Sequence, residues 1–279
     1  MTPALRAACC AAVLLVLAGC GGSNTPKPGA PGLPSAPVDV MYNHGIDALN
    51  GQRYETAADQ FTSVDENYPY SAWATKAQLM LGYTQYLQHK YTEALATIDR
   101  YIELHPSSHD IAYAYYLRAL CYYEQIEDVR RDQESTLKAI TALRQVVDRF
   151  PGTTYARDAR LKIDLAHDHL AGHEMAIGLF YERQHLYEAA IGRYQRVVED
   201  FQTTNHVAEA LHRLVEIYLR LGMRAEALRT ASVLGYNYPG SPWYADTYAD
   251  LYRNKLVKGM PPPTGTGHGF LDRTFDWLF

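Results

Sequence analysis

Self-similarity at a fixed period constrains this chain more than any local propensity. Tyr54-Glu-Thr-Ala57 recurs as Tyr91-Thr-Glu-Ala94, Tyr68-Pro69 as His105-Pro106, and Gly45 as Gly82, each 37 residues further on. The same landmarks continue as Ala139 with Phe150-Pro151, Ala190 with Phe201-Gln202, and Ala227 with Tyr238-Pro239. A unit of this length cannot bury an apolar face alone, so successive units must stack into an elongated array.

Spacing within each unit resembles the tetratricopeptide repeat. A small or slim residue marks helix A at Gly45, Gly82, Ala119, Gly178 and Val215, and an alanine follows on helix B. Four residues after that alanine comes Phe61, Ile98, Leu143, Tyr194 or Ala231, and a proline closes most units. Small residues allow close helix approach, and proline cannot continue a helix. The expected fold is all-α, a right-handed solenoid of five helical hairpins. Two departures stand out. About eight residues around Glu127 to Glu134 are inserted in the turn between the helices of repeat three. Ala156 to Ala176 reads as unbroken helix, which lengthens helix A of repeat four.

The N-terminus reads as an address. Arg6 precedes an apolar run from Ala7 to Ala18, too short for the roughly 20 residues that span a bilayer but of signal-peptide length. Leu17-Ala18-Gly19-Cys20 resembles a bacterial lipobox, which implies a signal peptide over 1–19 and lipid on Cys20. Gly21 after that cysteine, in place of an aspartate, points to the outer membrane. Residues 20–37 carry the lipidated cysteine and a Pro/Gly-rich tether. Cys121, flanked by Leu120 and Tyr122, reads as a small core residue, and no internal disulfide is expected in the mature chain. Residues 38–150 hold repeats one to three, residues 151–257 repeats four and five, and residues 258–279 a linker and a short amphipathic end.

Tyr68-Pro-Tyr-Ser71, the run AQLMLGYTQYLQHKYTEALATIDRYIELHP at 77–106, and Ile111-Ala-Tyr-Ala-Tyr-Tyr-Leu-Arg118 resemble the BamD (ComL, YfiO) family of outer-membrane assembly lipoproteins. Leu170-Ala-Gly-His-Glu174 and Tyr236-Asn-Tyr-Pro-Gly-Ser241 extend the likeness to about residues 40–245. The resemblance implies a non-enzymatic scaffold of the β-barrel assembly complex. Its partners would be the POTRA domains of BamA, the other lipoproteins of the complex, and the C-terminal signal of unfolded barrel proteins. It would be anchored by lipid in the inner leaflet of the outer membrane and face the periplasm.

In tetratricopeptide domains helix A lines a concave groove at fixed offsets from the small residue. Those offsets select Tyr42 in repeat one, Leu79, Tyr83 and Tyr86 in repeat two, and Tyr113, Tyr116 and Tyr123 in repeat three. The chain has 23 tyrosines against 7 phenylalanines, so such a groove is apolar in body with hydroxyls at its tips, suited to an extended aromatic-rich segment. Its charged members, Asp39, Lys76 and Glu124, share no sign, and it lacks the cationic set that clamps a carboxylate pair. Arginines gather in repeats four and five. The resemblance implies that this half docks BamA, which makes Arg193, Arg196 and Arg220 the candidates, with Arg193 foremost as able to reach an acidic partner residue; Arg213 and Arg224 belong to the same group of arginines.

A net charge of −5 offers no basic stripe for phosphates, so nucleic acid is not expected as a partner. His167, Asp168, His169 and His173 are the nearest approach to a metal site, but no third ligand is fixed beside His169 and His173. No metal, cofactor or catalytic residue is expected: neither GxGxxG nor GxxxxGK[ST] nor a nucleophile elbow occurs. The last ten residues, Phe270 to Phe279, place Leu271, Phe275 and Leu278 on one helical side, with no role assigned. Two other readings of a repeat lipoprotein are a pilotin for secretins and an adaptor of cell-wall enzymes or a lytic enzyme itself.

Overall fold

Proline and its neighbours set the ends of the second helix in each hairpin. In the computed structural model, which describes residues 36–258, Tyr68, His105, Phe150 and Tyr238 each end a helix at φ near −130° and ψ near 50°. All four precede proline, whose ring excludes the helical region for the residue before it. Phe201 adopts the same geometry before Gln202, so packing alone also enforces the turn. Cys20, the tether and Phe270–Phe279 lie outside the described residues.

Eleven helices follow one another among the described residues, with no strand. Five hairpins are α1 (Val38–Asn50) with α2 (Tyr54–Asn67), α3 (Ala72–Leu87) with α4 (Tyr91–Leu104), α5 (Ile111–Tyr123) with α6 (Glu134–Arg149), α7 (Thr154–Arg183) with α8 (Tyr187–Asp200), and α9 (His206–Arg220) with α10 (Arg224–Asn237). Each helix packs chiefly on its sequence neighbours, as in a solenoid. An eleventh helix, α11 (Pro242–Arg253), packs on α9 and α10.

Turns inside the hairpins repeat as faithfully as the helices. Gln52, His89, His185 and Gly222 hold φ of 57°, 59°, 59° and 74° at the centre of four turns. Three of the four are not glycine, so the left-handed residue is enforced by the closing hydrogen bonds around it, such as Arg53 N to Ala48 O at 2.8 Å. Lys255 after α11 takes φ 58°, the same left-handed turn that follows the first helix in four of the hairpins.

The landmark pairs interlock within hairpins. A Cβ on Gly45 would lie 2.7 Å from Phe61, one on Gly82 2.7 Å from Ile98, and one on Gly178 2.5 Å from Tyr194. Phe61, Ile98 and Tyr194 are each fully buried. In the fifth hairpin the sizes are exchanged: Val215 is the larger residue and Ala231 the smaller, both in one core cluster. Cys121 is a buried free thiol in the core of repeats two and three, and burial pushes its pKa up to about 12, which makes it inert at neutral pH.

Repeat three departs as expected, because residues 124–133 form a loop where the other hairpins turn in three. That loop folds onto the middle of α7, where the His173 ring hydrogen-bonds the Val129 carbonyl oxygen and Gly172 faces Val129 and His206. Helix α7 runs for 30 residues, about 45 Å at 1.5 Å per residue. Its first half packs on α6 and its second half on α8, so one helix serves two successive repeats. No described helix is long and apolar enough to cross a membrane.

Candidate functional site

The first helices of repeats two to four present a connected row of phenols. Tyr83 on α3 and Tyr113 on α5 have ring centroids 6.4 Å apart, Tyr113 and Tyr155 on α7 are 5.6 Å apart, and Tyr155 and Tyr116 are 5.3 Å apart. All four are half-buried. Acids tether the hydroxyls. Tyr116 donates to Asp158 on α7, and Tyr86 donates to Glu124 Oε1 at 3.3 Å. Burial, followed by the Glu124 carboxylate, pushes the Tyr86 phenol up to about 12. Burial also raises Tyr113 and Tyr116, the latter with Asp158 adding to the effect, so these phenols keep their protons throughout physiological pH. Tyr123 closes the row beneath Lys162, whose ammonium lies 4.7 Å from the ring centroid.

Tyr83, Tyr86, Tyr113, Tyr116 and Tyr123 are thus brought onto neighbouring helices as the spacing suggested. Two other selected positions go elsewhere. Leu79 is buried in the core with Ile98, Tyr101 and Leu117, because a leucine on the inner edge of helix A is too short to reach past its own hairpin. Tyr42 joins a separate aromatic group in the first hairpin, 5.6 Å from Phe61 and 5.0 Å from Trp73. Tyr155, Asp158 and Lys162 were not selected. A signal for Tyr155 is present in the sequence: it stands four residues after Pro151, as Trp73 stands after Pro69 and Trp243 after Pro239.

Repeats four and five carry a different chemistry. Arg193 Nη1 and Arg196 Nη1 bracket Glu174 at 3.0 and 3.1 Å, and Arg220 Nη1 meets Glu182 Oε1 at 3.0 Å. Tyr194 Oη donates to the other Glu182 oxygen at 2.9 Å. Both glutamates project from the second half of α7 and are buried. Arg193, ranked first for reaching a partner acid, is therefore already held by an acid of its own chain, and its bond to Glu174 raises its pKa. Arg196 and Arg220 remain about half exposed. Leu186, Leu221 and Met223, at the turns of the fourth and fifth hairpins, and Phe180, near the end of α7, are exposed apolar side chains.

The histidine group of α7 is distributed over different partners. His167 meets Arg144 at 3.2 Å, and Asp168 accepts from the Asn205 amide at 3.3 Å at the start of α9. His173 holds the 124–133 loop. Among the described residues His212, Glu216 and Asp250 bring ligand atoms within 4.8 Å of one another. Arg213 lies 3.2 Å from Glu216 and Arg253 pairs with Asp250, so guanidiniums already neutralise both carboxylates.

Residues 34–250 match the family model described as YfiO, outer membrane lipoprotein. A relative from Caulobacter vibrioides, named outer membrane protein assembly factor BamD, is 47% identical over 256 residues, covering 90% of this chain and 83% of its own. One of the same name from Rickettsia prowazekii is 46% identical over 213 residues, covering 76% and 85%. Among solved structures, the TPR2AB domain of yeast Sti1 in complex with pHSP90 covers 78% of this chain and 85% of its own, with a TM-score of 0.42 and 11% identity.

Proposed function

This chain belongs to the YfiO family of outer membrane lipoproteins, and we propose that it is a non-enzymatic scaffold of the complex that assembles β-barrel proteins into the outer membrane. Lipid on Cys20 holds it at the periplasmic face. The helices present two working surfaces. Tyr83, Tyr86, Tyr113, Tyr116, Tyr123 and Tyr155 receive the C-terminal signal of an unfolded barrel protein. The surface around Arg193, Arg196 and Arg220 docks the POTRA domains of BamA, and the other lipoproteins of the complex complete the assembly.

The carrying observation is the unbroken ring row from Tyr83 through Tyr113 and Tyr155 to Tyr116. Phenols restricted by packing lose little rotamer freedom on contact, and their hydroxyls can bond a peptide backbone while the rings take aromatic side chains. The same two repeats carry half-exposed guanidiniums and the exposed apolar side chains Phe180, Leu186, Leu221 and Met223, the residue types that dominate protein interfaces.

The test is direct. A fluorescent peptide carrying an aromatic barrel C-terminus is titrated against the chain and against Tyr83→Ala with Tyr116→Ala. The double variant weakens binding at least about fivefold, the loss of two aromatic contacts of roughly 0.5–1.5 kcal/mol each, while its helical circular dichroism is unchanged. Equal affinity in the two proteins contradicts the reading.

A further inference from the structure

The 124–133 loop, the largest departure of this chain from a regular repeat, builds a pocket of about 310 Å³ against α5 and α7. Its walls include Tyr123, Glu124, Ile126, Glu127, Leu165 and His169. Tyr123 and Glu124 belong also to the phenol row, where Glu124 accepts from Tyr86, so the pocket opens beside that row. Three features define what it takes. First, its charged lining is two carboxylates, with no lysine or arginine among the lining residues, and Tyr123 adds a hydroxyl. Second, His169 completes the lining with its Nε2 enclosed by protein, so the two carboxylates are the charged groups an incoming side chain meets. Third, Ile126 and the 60% exposed Leu165 supply an apolar wall.

We propose that this pocket receives a basic side chain of the segment lying on the phenol row, its aliphatic stem along Leu165 and Ile126 and its charged head between Glu124 and Glu127. The inference rests on the reading of the row as a peptide-binding face. A long cation covers apolar surface with its stem while its head remains among acceptors. An ammonium brings three donors and no acceptor, which complements this lining; a carboxylate would face two of its own kind. Of the nearby cations, Lys162 stacks on Tyr123 and faces Asp158 at 3.8 Å, whereas Arg131 meets the pocket's own Glu127 at 3.3 Å in a pair exposed on both sides, which solvent screens and an incoming cation would have to displace. The pocket is preformed, because Gln133 ties the loop to the Asp128 and Arg131 carbonyl oxygens at 3.3 and 3.0 Å and His173 ties it to α7. Selectivity for an aromatic strand with a cation at one position is the consequence.

The experiment uses a series of fluorescent aromatic-rich nonapeptides in which one lysine is moved along the sequence, each paired with its norleucine counterpart, which keeps the stem and removes the charge. At one position lysine binds at least fivefold tighter than norleucine. That preference vanishes in Glu124→Gln with Glu127→Gln, and it falls at least twofold in Glu127→Gln alone, which leaves the Tyr86 acceptor in place. Lysine and norleucine peptides of equal affinity at every position overturn the pocket assignment and leave the phenol row standing. Peptides that do not bind at all, with or without lysine, overturn both.

Discussion

The two halves of this solenoid use the same hairpin for opposite purposes. In repeats two to four the first helices spend tyrosines on an accessible row whose members touch one another and whose hydroxyls are steadied by single acids, Glu124 and Asp158. In the second half of α7 and in α8 and α9, tyrosine and arginine turn inward to buried acids: Tyr194 and Arg220 share Glu182, and Arg193 and Arg196 share Glu174. A half-buried phenol keeps part of its surface open to solvent. The same phenol buried on a carboxylate is bracing. Helix α7 carries both patterns along its length, Tyr155 and Asp158 near its start and Glu174 and Glu182 near its end.

If this contrast is real, perturbing one half should leave the other's property intact. The largest effect is expected at Glu182→Ala, which strands the fully buried Tyr194 hydroxyl and frees Arg220. A cost of about 2–3 kcal/mol follows, or roughly 5–10 °C in thermal midpoint, with affinity for an aromatic peptide unchanged. A variant as stable as the parent would reduce the bracing network to decoration. Tyr155→Ala is the converse: affinity for the peptide falls about three- to tenfold, near 1 kcal/mol, and the thermal midpoint moves little, as calorimetry and titration would report. Smallest is the titration of Tyr86. Its folded pKa is raised from about 10 to about 12, so its contribution is fully present below pH 10 and is lost as pH rises through 12. In Glu124→Gln, ultraviolet tyrosinate titration should show the Tyr86 phenol ionising earlier while burial keeps it above the ordinary value; an unchanged curve would remove the Glu124 tether from the account.

Much of the fold is legible because the decisive spacings are short. A glycine on helix A and a large residue sixteen later on helix B fix each hairpin locally, and the structure seats Phe61, Ile98 and Tyr194 on Gly45, Gly82 and Gly178. Positions that depend on neighbouring units are harder to read. Tyr155 escaped because the register of repeat four was set by Gly178, near the far end of a helix that serves two repeats; counting from Pro151 finds it. Leu79 and Tyr116 occupy the same offset, and side-chain length decides that one stays in the core and the other emerges. Glu174 and Glu182 gave no local sign, since an acid on a helix face reads as solvated until the arginines of the next helices are placed upon it.

The central claim is the division of labour between the phenol row and the arginine surface. Photo-crosslinking amino acids placed singly at Tyr155 and at Arg196, in cells assembling a barrel protein, test it most directly. Tyr155 should capture the unfolded barrel chain and Arg196 should capture BamA. Capture of BamA from Tyr155, or of the barrel substrate from Arg196 alone, would contradict the account.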